Sequence, residues 1–171
     1  MKHEKTVKLC LAAVLTALVF VATYIIQIPM PATGGFINLG DCMVLLSAFL
    51  LGPLWGAAAG GVGSMLTDLV AGYGSFAPGT LVIKALMACC AALIYKALRD
   101  RTKLAAAVGA VAGELIMVLG YFAYESLFLG FGMGAAASIP GNAIQGLAGM
   151  IAGVLVFHVL DAVPYVKKLS Y

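Results

Sequence analysis

The chain has 171 residues, of which 63% are hydrophobic and 10% charged, with a formal net charge of +3. Ordinary soluble domains carry about 25% charged residues, so this composition excludes a water-soluble globular domain and calls for the bilayer as solvent. The cations sit in short segments between apolar runs, which excludes the basic face of a nucleic-acid binder, and the length leaves no room for a separate soluble module.

The first apolar run predicts a helix over about 8–28, closed by Ile28-Pro29-Met30-Pro31, because two prolines so close together stop a helix. Its basic start resembles a signal peptide. The run is nevertheless long enough to span, and no small-x-small cleavage site precedes a polar chain, so it reads as a retained first helix. A loop rich in Gly and Pro follows over about 29–40 and ends in Asn38-Leu39-Gly40-Asp41. A second helix over about 41–52 is short for a span and is punctuated by Gly52-Pro53. The third covers about 54–72, and Gly72-Tyr73-Gly74-Ser75 then loops to Pro78. The fourth, about 79–98, runs into the charged turn Arg99-Asp100-Arg101-Thr102-Lys103. The fifth covers about 104–129, a glycine-rich loop about 130–138, and the sixth about 139–163, before a tail with Lys167 and Lys168. The expected fold is all-α: one integral membrane domain over 1–171, a bundle of six transmembrane helices.

Cytoplasmic loops collect Lys and Arg. Lys2, Lys5, Lys8, Lys96, Arg99, Arg101, Lys103, Lys167 and Lys168 all fall on one side of a six-helix zigzag, and the loops on the other side carry neither residue. Both termini are therefore expected on the cytoplasmic side of the membrane. The remaining cation, Lys84, lies within helix four. Gly56, Gly60, Gly61 and Gly63 on helix three, Gly109 and Gly113 on helix five, and Gly146, Gly149 and Gly153 on helix six supply small faces for close helix packing.

Ionisable groups within spans are costly and tend to mark function. Asp41, Asp68, Lys84 and Glu125 converge on the outer half of the zigzag, with Glu114 deeper and Asp161 near the inner end. Asn38, Tyr73, Thr80, Tyr121, Tyr124, Asn142 and Gln145 join them at the outer level. Glu114, Val118, Tyr121 and Glu125 share a face by helical spacing, as do Asn142 and Gln145. Such a set offers a pocket for a small polar ligand, with tyrosines to stack on a flat ring. Bland readings stand beside this one. Asp68 and Lys84 could pair and hold two helices together, Asp41 could cap helix two, the tyrosines could form an interfacial belt, and Glu114 could hydrogen-bond between helices.

Cys10, Cys42, Cys89 and Cys90 lie in apolar stretches without metal-ligand spacing, so no metal and no cofactor is expected. HExxH, GxSxG and GxxxxGK[ST] are all absent, and His158 is at the wrong end to act as a base for the outer cluster. An enzyme is not expected, and the chain cannot itself drive transport with ATP.

The ordered set Ile37-Asn38-Leu39-Gly40-Asp41, Leu51-Gly52-Pro53-Leu54-Trp55-Gly56, Gly63-Ser64, Asp68-Leu69 and Ala77-Pro78-Gly79-Thr80-Leu81-Val82-Ile83-Lys84 resembles the substrate-binding S component of energy-coupling factor (ECF) vitamin transporters. The resemblance implies a six-helix protein that binds a vitamin or precursor in an outward-facing pocket. It implies assembly with a transmembrane scaffold subunit and two cytoplasmic ATPases, and release inside by toppling in the membrane. The family's Ala-x-x-x-Ala motif, which contacts the scaffold, matches Ala13 and Ala17. Carried over, the pocket comprises Asn38, Tyr73, Lys84, Tyr121, Tyr124, Glu125, Asn142 and Gln145. Asp41 and Asp68 belong to the shared pattern and are structural or ligand-contacting. A ring with hydroxyl or amino groups, pyridoxine-like or hydroxymethylpyrimidine-like, suits such a pocket; pantothenate would use Lys84. The alternative is a self-sufficient channel or facilitator.

Overall fold

The computed structural model describes residues 2–164 and 166, with side chains from residue 5 onward; Lys167 and Lys168 lie outside the described residues. The protein is a multi-pass, all-α membrane bundle. Five helical runs are long and apolar enough to cross a membrane. They are α1 (Lys2–Ile25), α2 (Gly40–Val70), α3 (Ala77–Leu98), α4 (Ala105–Leu127) and α5 (Ile139–Asp161), the last led in by a 3-10 helix (Gly132–Ser138). Leu54, Leu86, Leu115 and Leu155 are each more than half exposed, as residues facing lipid are in a membrane bundle.

Two loops expected from sequence turn out to be ordered. The segment after α1 forms an antiparallel hairpin, β1 (Ile28–Met30) and β2 (Gly35–Ile37), with Pro29 opposite Phe36. α1 ends at Ile25, ahead of the expected stop near residue 28, because Ile28 and Pro29 already belong to β1, and the chain turns back through Gly34 at φ 73°. Past α4, Gly130 and Gly132 take φ values of 79° and 53°. The alanines that follow them wind into the 3-10 helix.

Sequence reading separates helices two and three at Gly52-Pro53, and α2 has its break there: Gly52 sits at φ 81°, ψ −176°. Such a conformation is open to glycine and strained for other residues. Pro53 then opens the second limb, where the first amide needs no partner. A methyl group added to Gly56 would lie 2.7 Å from Ala48 Cα, and one on Gly60 2.9 Å from Val44 Cγ1. Residues eight apart on a straight helix are about 12 Å apart. The limbs 40–51 and 53–70 therefore double back on each other.

Small residues set the other contacts. Gly63 faces the Thr16 carbonyl of α1, Gly109 and Gly113 of α4 face the Ala91 and Met87 carbonyls of α3, and Gly153 of α5 faces the Cys42 carbonyl. These pairings bring Thr23, Gly40, Ser64, Thr80, Glu125 and Asn142 to one end of the bundle. Gly52, the α3–α4 turn and the start of α1 go to the other end. Lys5, Lys8, Lys96, Arg99, Arg101 and Lys103 thus gather away from the first end. Between the two ends lies an apolar core that includes Leu45, Met87 and Met117. Beneath it, Phe49, Tyr95 and Phe157 contact one another with ring centroids 5.3, 5.1 and 5.2 Å apart.

Candidate functional site

The polar groups legible in sequence meet at the end of the bundle where the hairpin lies. The pocket there is walled by Thr23 of α1, Met30, Gly35 and Phe36 of the hairpin, Asn38, and Ser64 and Asp68 of α2. Phe76, Thr80 and Lys84 at the start of α3, Tyr121 and Glu125 of α4, and Asn142 and Gln145 of α5 complete it. The space between these walls is narrow. Helix breakers position the walls. Pro78 and Pro140 sit in the first turns of α3 and α5, so Thr80 and Asn142 emerge just inside helix starts.

A buried network forms the floor. Lys84 Nζ pairs with Asp41 Oδ1, which corrects the Asp68–Lys84 pairing considered from sequence. Asp41 packs against Gly149 of α5, so closely that a methyl group there would meet its Cβ at 2.6 Å, and its carboxylate lies against Lys84. Gln145 Nε2 donates to Asp41 Oδ2 at 2.7 Å, and its Oε1 accepts the Asn38 amide at 2.8 Å. Asn38 Oδ1 in turn accepts the Gly40 amide at 2.8 Å. Asp41 does not cap α2: Leu39 is the capping position and no side chain bonds there.

The walls carry a second set of bonds. Tyr121 OH and Thr80 Oγ1 lie 3.0 Å apart, and Thr80 also bonds the Asp68 carboxyl. Lys84 Nζ is 5.5 Å from the centre of the Tyr121 ring, within cation–π reach. Ser138 Oγ donates to Glu125 Oε2 at 2.5 Å. Ser64 Oγ, Asp68 Oδ2 and Asn142 Nδ2 are buried without a hydrogen-bond partner among the described residues, and all three residues line the pocket.

Of the residues expected in the pocket, Asn38, Lys84, Tyr121, Glu125, Asn142 and Gln145 line it, as does Asp68, while Asp41 is beneath it. Tyr73 and Tyr124 do not. The Tyr73 ring packs on Phe36 of the hairpin at 4.5 Å. Tyr124 donates to the Ser75 carbonyl at 2.8 Å and stacks on Phe128. The expected tyrosine lining is therefore Tyr121 alone, because Tyr124 lies three residues round the helix on the face toward α3. Glu114 is also apart from the pocket, against Gly146 and Gly149 and beside a lateral groove between α4 and α5. Ser64 and Thr23 are additions; Ser64 precedes Asp68 by four residues, a spacing that puts them on one face. Ala13 and Ala17 are exposed on α1, whose buried side is Ala12, Leu15, Val19 and Thr23.

Fold and site together define a class: a multi-pass membrane protein with a small polar pocket at one end of an otherwise apolar bundle. The chain belongs to the S-component family of ECF-type transporters, since residues 3–162 match the family described as ECF-type riboflavin transporter, S component. It is 31% identical over 153 residues to the thiamine precursor transporter HmpT of Lactococcus lactis subsp. cremoris, covering 88% of this chain and 86% of that protein. It is 40% identical over 135 residues to an uncharacterized protein of Pyrococcus woesei, covering 79% of this chain and 88% of the relative. Its fold is similar to that of a solved S component of a bacterial ECF transporter, with a TM-score of 0.68 and 21% identity over 92% of this chain and 97% of the other. The family is one of transporter components, not of enzymes.

Proposed function

We propose that this chain is the substrate-capturing subunit of an ECF-type importer in a prokaryotic plasma membrane. Its ligand is a small single-ring vitamin precursor, hydroxymethylpyrimidine-like or pyridoxine-like, held by Asn38, Asp68, Tyr121, Glu125, Asn142 and Gln145. The chain is a single membrane domain of six spans, the two limbs of α2 counting separately. The pocket opens outward, and both termini lie on the cytoplasmic side. Uptake is powered by an ECF scaffold subunit and two ATPases, docked through the exposed Ala13 and Ala17.

The observation that carries this reading is a polar pocket at one end of the bundle with a closed apolar core below it. Beneath Lys84, Met87, Leu45 and Phe49 are fully buried and close the floor. That favours capture over the channel or facilitator reading, which needs a continuous route. The basic residues at the opposite end support the orientation. The Tyr121 ring in the pocket wall supports a flat ring, and the likeness to a thiamine precursor transporter points the same way.

Purified protein screened against water-soluble vitamins and their precursors by thermal shift tests the reading. A ligand at 100 times its Kd stabilises by about 2.7 kcal/mol, and a binder in the nanomolar range is expected. Silence across the panel overturns the vitamin reading. Uptake by proteoliposomes holding this chain alone overturns the need for partners.

A further inference from the structure

The pocket holds more acid than base. Asp68 and Glu125 stand in its walls, and among the described residues Lys84 is the only cation that lines it. Lys84 is already engaged with Asp41 in a pair almost wholly withdrawn from solvent, and the second Asp41 oxygen is held by Gln145. The Asp41–Lys84 unit is thus neutral and closed. What faces a ligand is Asp68 Oδ2, buried and unpartnered, with Ser64 Oγ and Asn142 Nδ2 in the same condition.

A buried polar atom without a partner is expensive, and a ligand that completes it recovers that energy. A carboxylate oxygen without a partner asks for a donor, best a charged one. The Asn142 amide hydrogens ask for an acceptor. We infer, resting on the reading of this pocket as the ligand site, that Asp68 anchors an amino group or protonated ring nitrogen, and that the pocket rejects anions, phosphate esters above all. An aminopyrimidine carries both requirements on one edge, an exocyclic amine beside a ring nitrogen. A phosphate would instead meet Asp68 and Glu125 with no cation free to balance it, and like charges brought together in a low-dielectric site repel strongly. The chemistry thus assigns this protein to the unphosphorylated, cationic or neutral member of any vitamin and phosphate-ester pair.

Matched pairs decide the point by isothermal titration calorimetry at one neutral pH: hydroxymethyl aminopyrimidine and its monophosphate, pyridoxine and pyridoxine phosphate, with pantothenate as a carboxylate probe. The expected result is binding of the unphosphorylated aminopyrimidine and affinity about 100-fold or more weaker for its ester. Asp68→Asn keeps the shape and removes the charge; it is expected to weaken that ligand by about 30-fold or more while the ligand-free melting temperature holds. An ester or pantothenate binding within about threefold of the best unphosphorylated probe overturns the inference and leaves the capture reading standing. So does unchanged affinity in folded Asp68→Asn. If that variant does not fold, the wild-type pairs still decide. Silence of every probe overturns the capture reading and this inference with it.

Discussion

Replacing Lys84 by methionine separates a structural lysine from a ligand-reading one. The side chain is 2% exposed and its partner Asp41 0%. At an effective dielectric of about 20, a contact pair of unit charges gains about 4 kcal/mol. Breaking a buried pair by removing one partner costs about 3–5 kcal/mol, because the survivor is left charged and unpaired. A chain of this size shifts its melting temperature by roughly 2–4 °C per kcal/mol. Lys84→Met should therefore melt roughly 10 °C below the parent. Asp41→Asn alone strands the ammonium and should cost a similar amount. The double variant Asp41→Asn/Lys84→Met removes both charges and keeps an oxygen for the Gln145 amide, so most of the loss should return. Circular dichroism melts of the four proteins in one detergent give the coupling energy, expected at about 2 kcal/mol or more. A Lys84→Met protein that melts with the parent but has lost its ligand-induced stabilisation refutes the reasoning, since the amine would then be reading the ligand.

Gly52→Ala puts a Cβ on a backbone at φ 81° and should destabilise by about 1–3 kcal/mol, read as a lower melting temperature with helix content retained. Glu114 is buried with both carboxyl oxygens unpartnered among the described residues. Glu114→Met should therefore stabilise by about 1–4 kcal/mol, and a fall in melting temperature would mean that the carboxyl has a role in the fold. Ala13→Trp and Ala17→Trp add bulk to an exposed face of α1. They should abolish co-purification with the scaffold and ATPases while ligand-induced stabilisation is unchanged; loss of both together would place the effect on folding instead.

The bundle was legible because its signals are local. Apolar runs, a Gly52-Pro53 break and Pro78 each act within a few residues; α1 departs most, running over Lys2–Ile25 where about 8–28 was expected. The hairpin at 28–37 was not, since strands of three residues, one with a proline at its centre, carry no period to detect. At the site, depth along the helices was readable but direction was not settled. Tyr121 and Tyr124 are three apart on one helix at one level, yet one turns to the pocket and the other to Ser75. The partner of Lys84 was also hidden. Asp68 lies on the helix next in sequence, whereas Asp41 reaches Lys84 only because the first limb of α2 packs between α5 and the second limb. That is a property of the doubled-back chain and of no short segment.

The same doubling back constrains how cargo could move. Below the pocket, a ligand would first have to part Lys84 from Asp41, then open contacts in which a single added methyl group has no room, at Gly56, Gly149 and Gly153. It would then meet the Phe49, Tyr95 and Phe157 rings. Opening the pair alone costs about 3–5 kcal/mol, and helix separation in lipid exposes backbone that small residues had let pack closely. By contrast, the face bearing Ala13 and Ala17 makes no demand on the core and is already exposed. On the proposed function, work done by partner subunits is therefore better applied to the body as a whole, from its rim, than to a passage through it. On the proposed function, moving the intact bundle relative to the membrane changes which side its pocket faces while the floor stays shut.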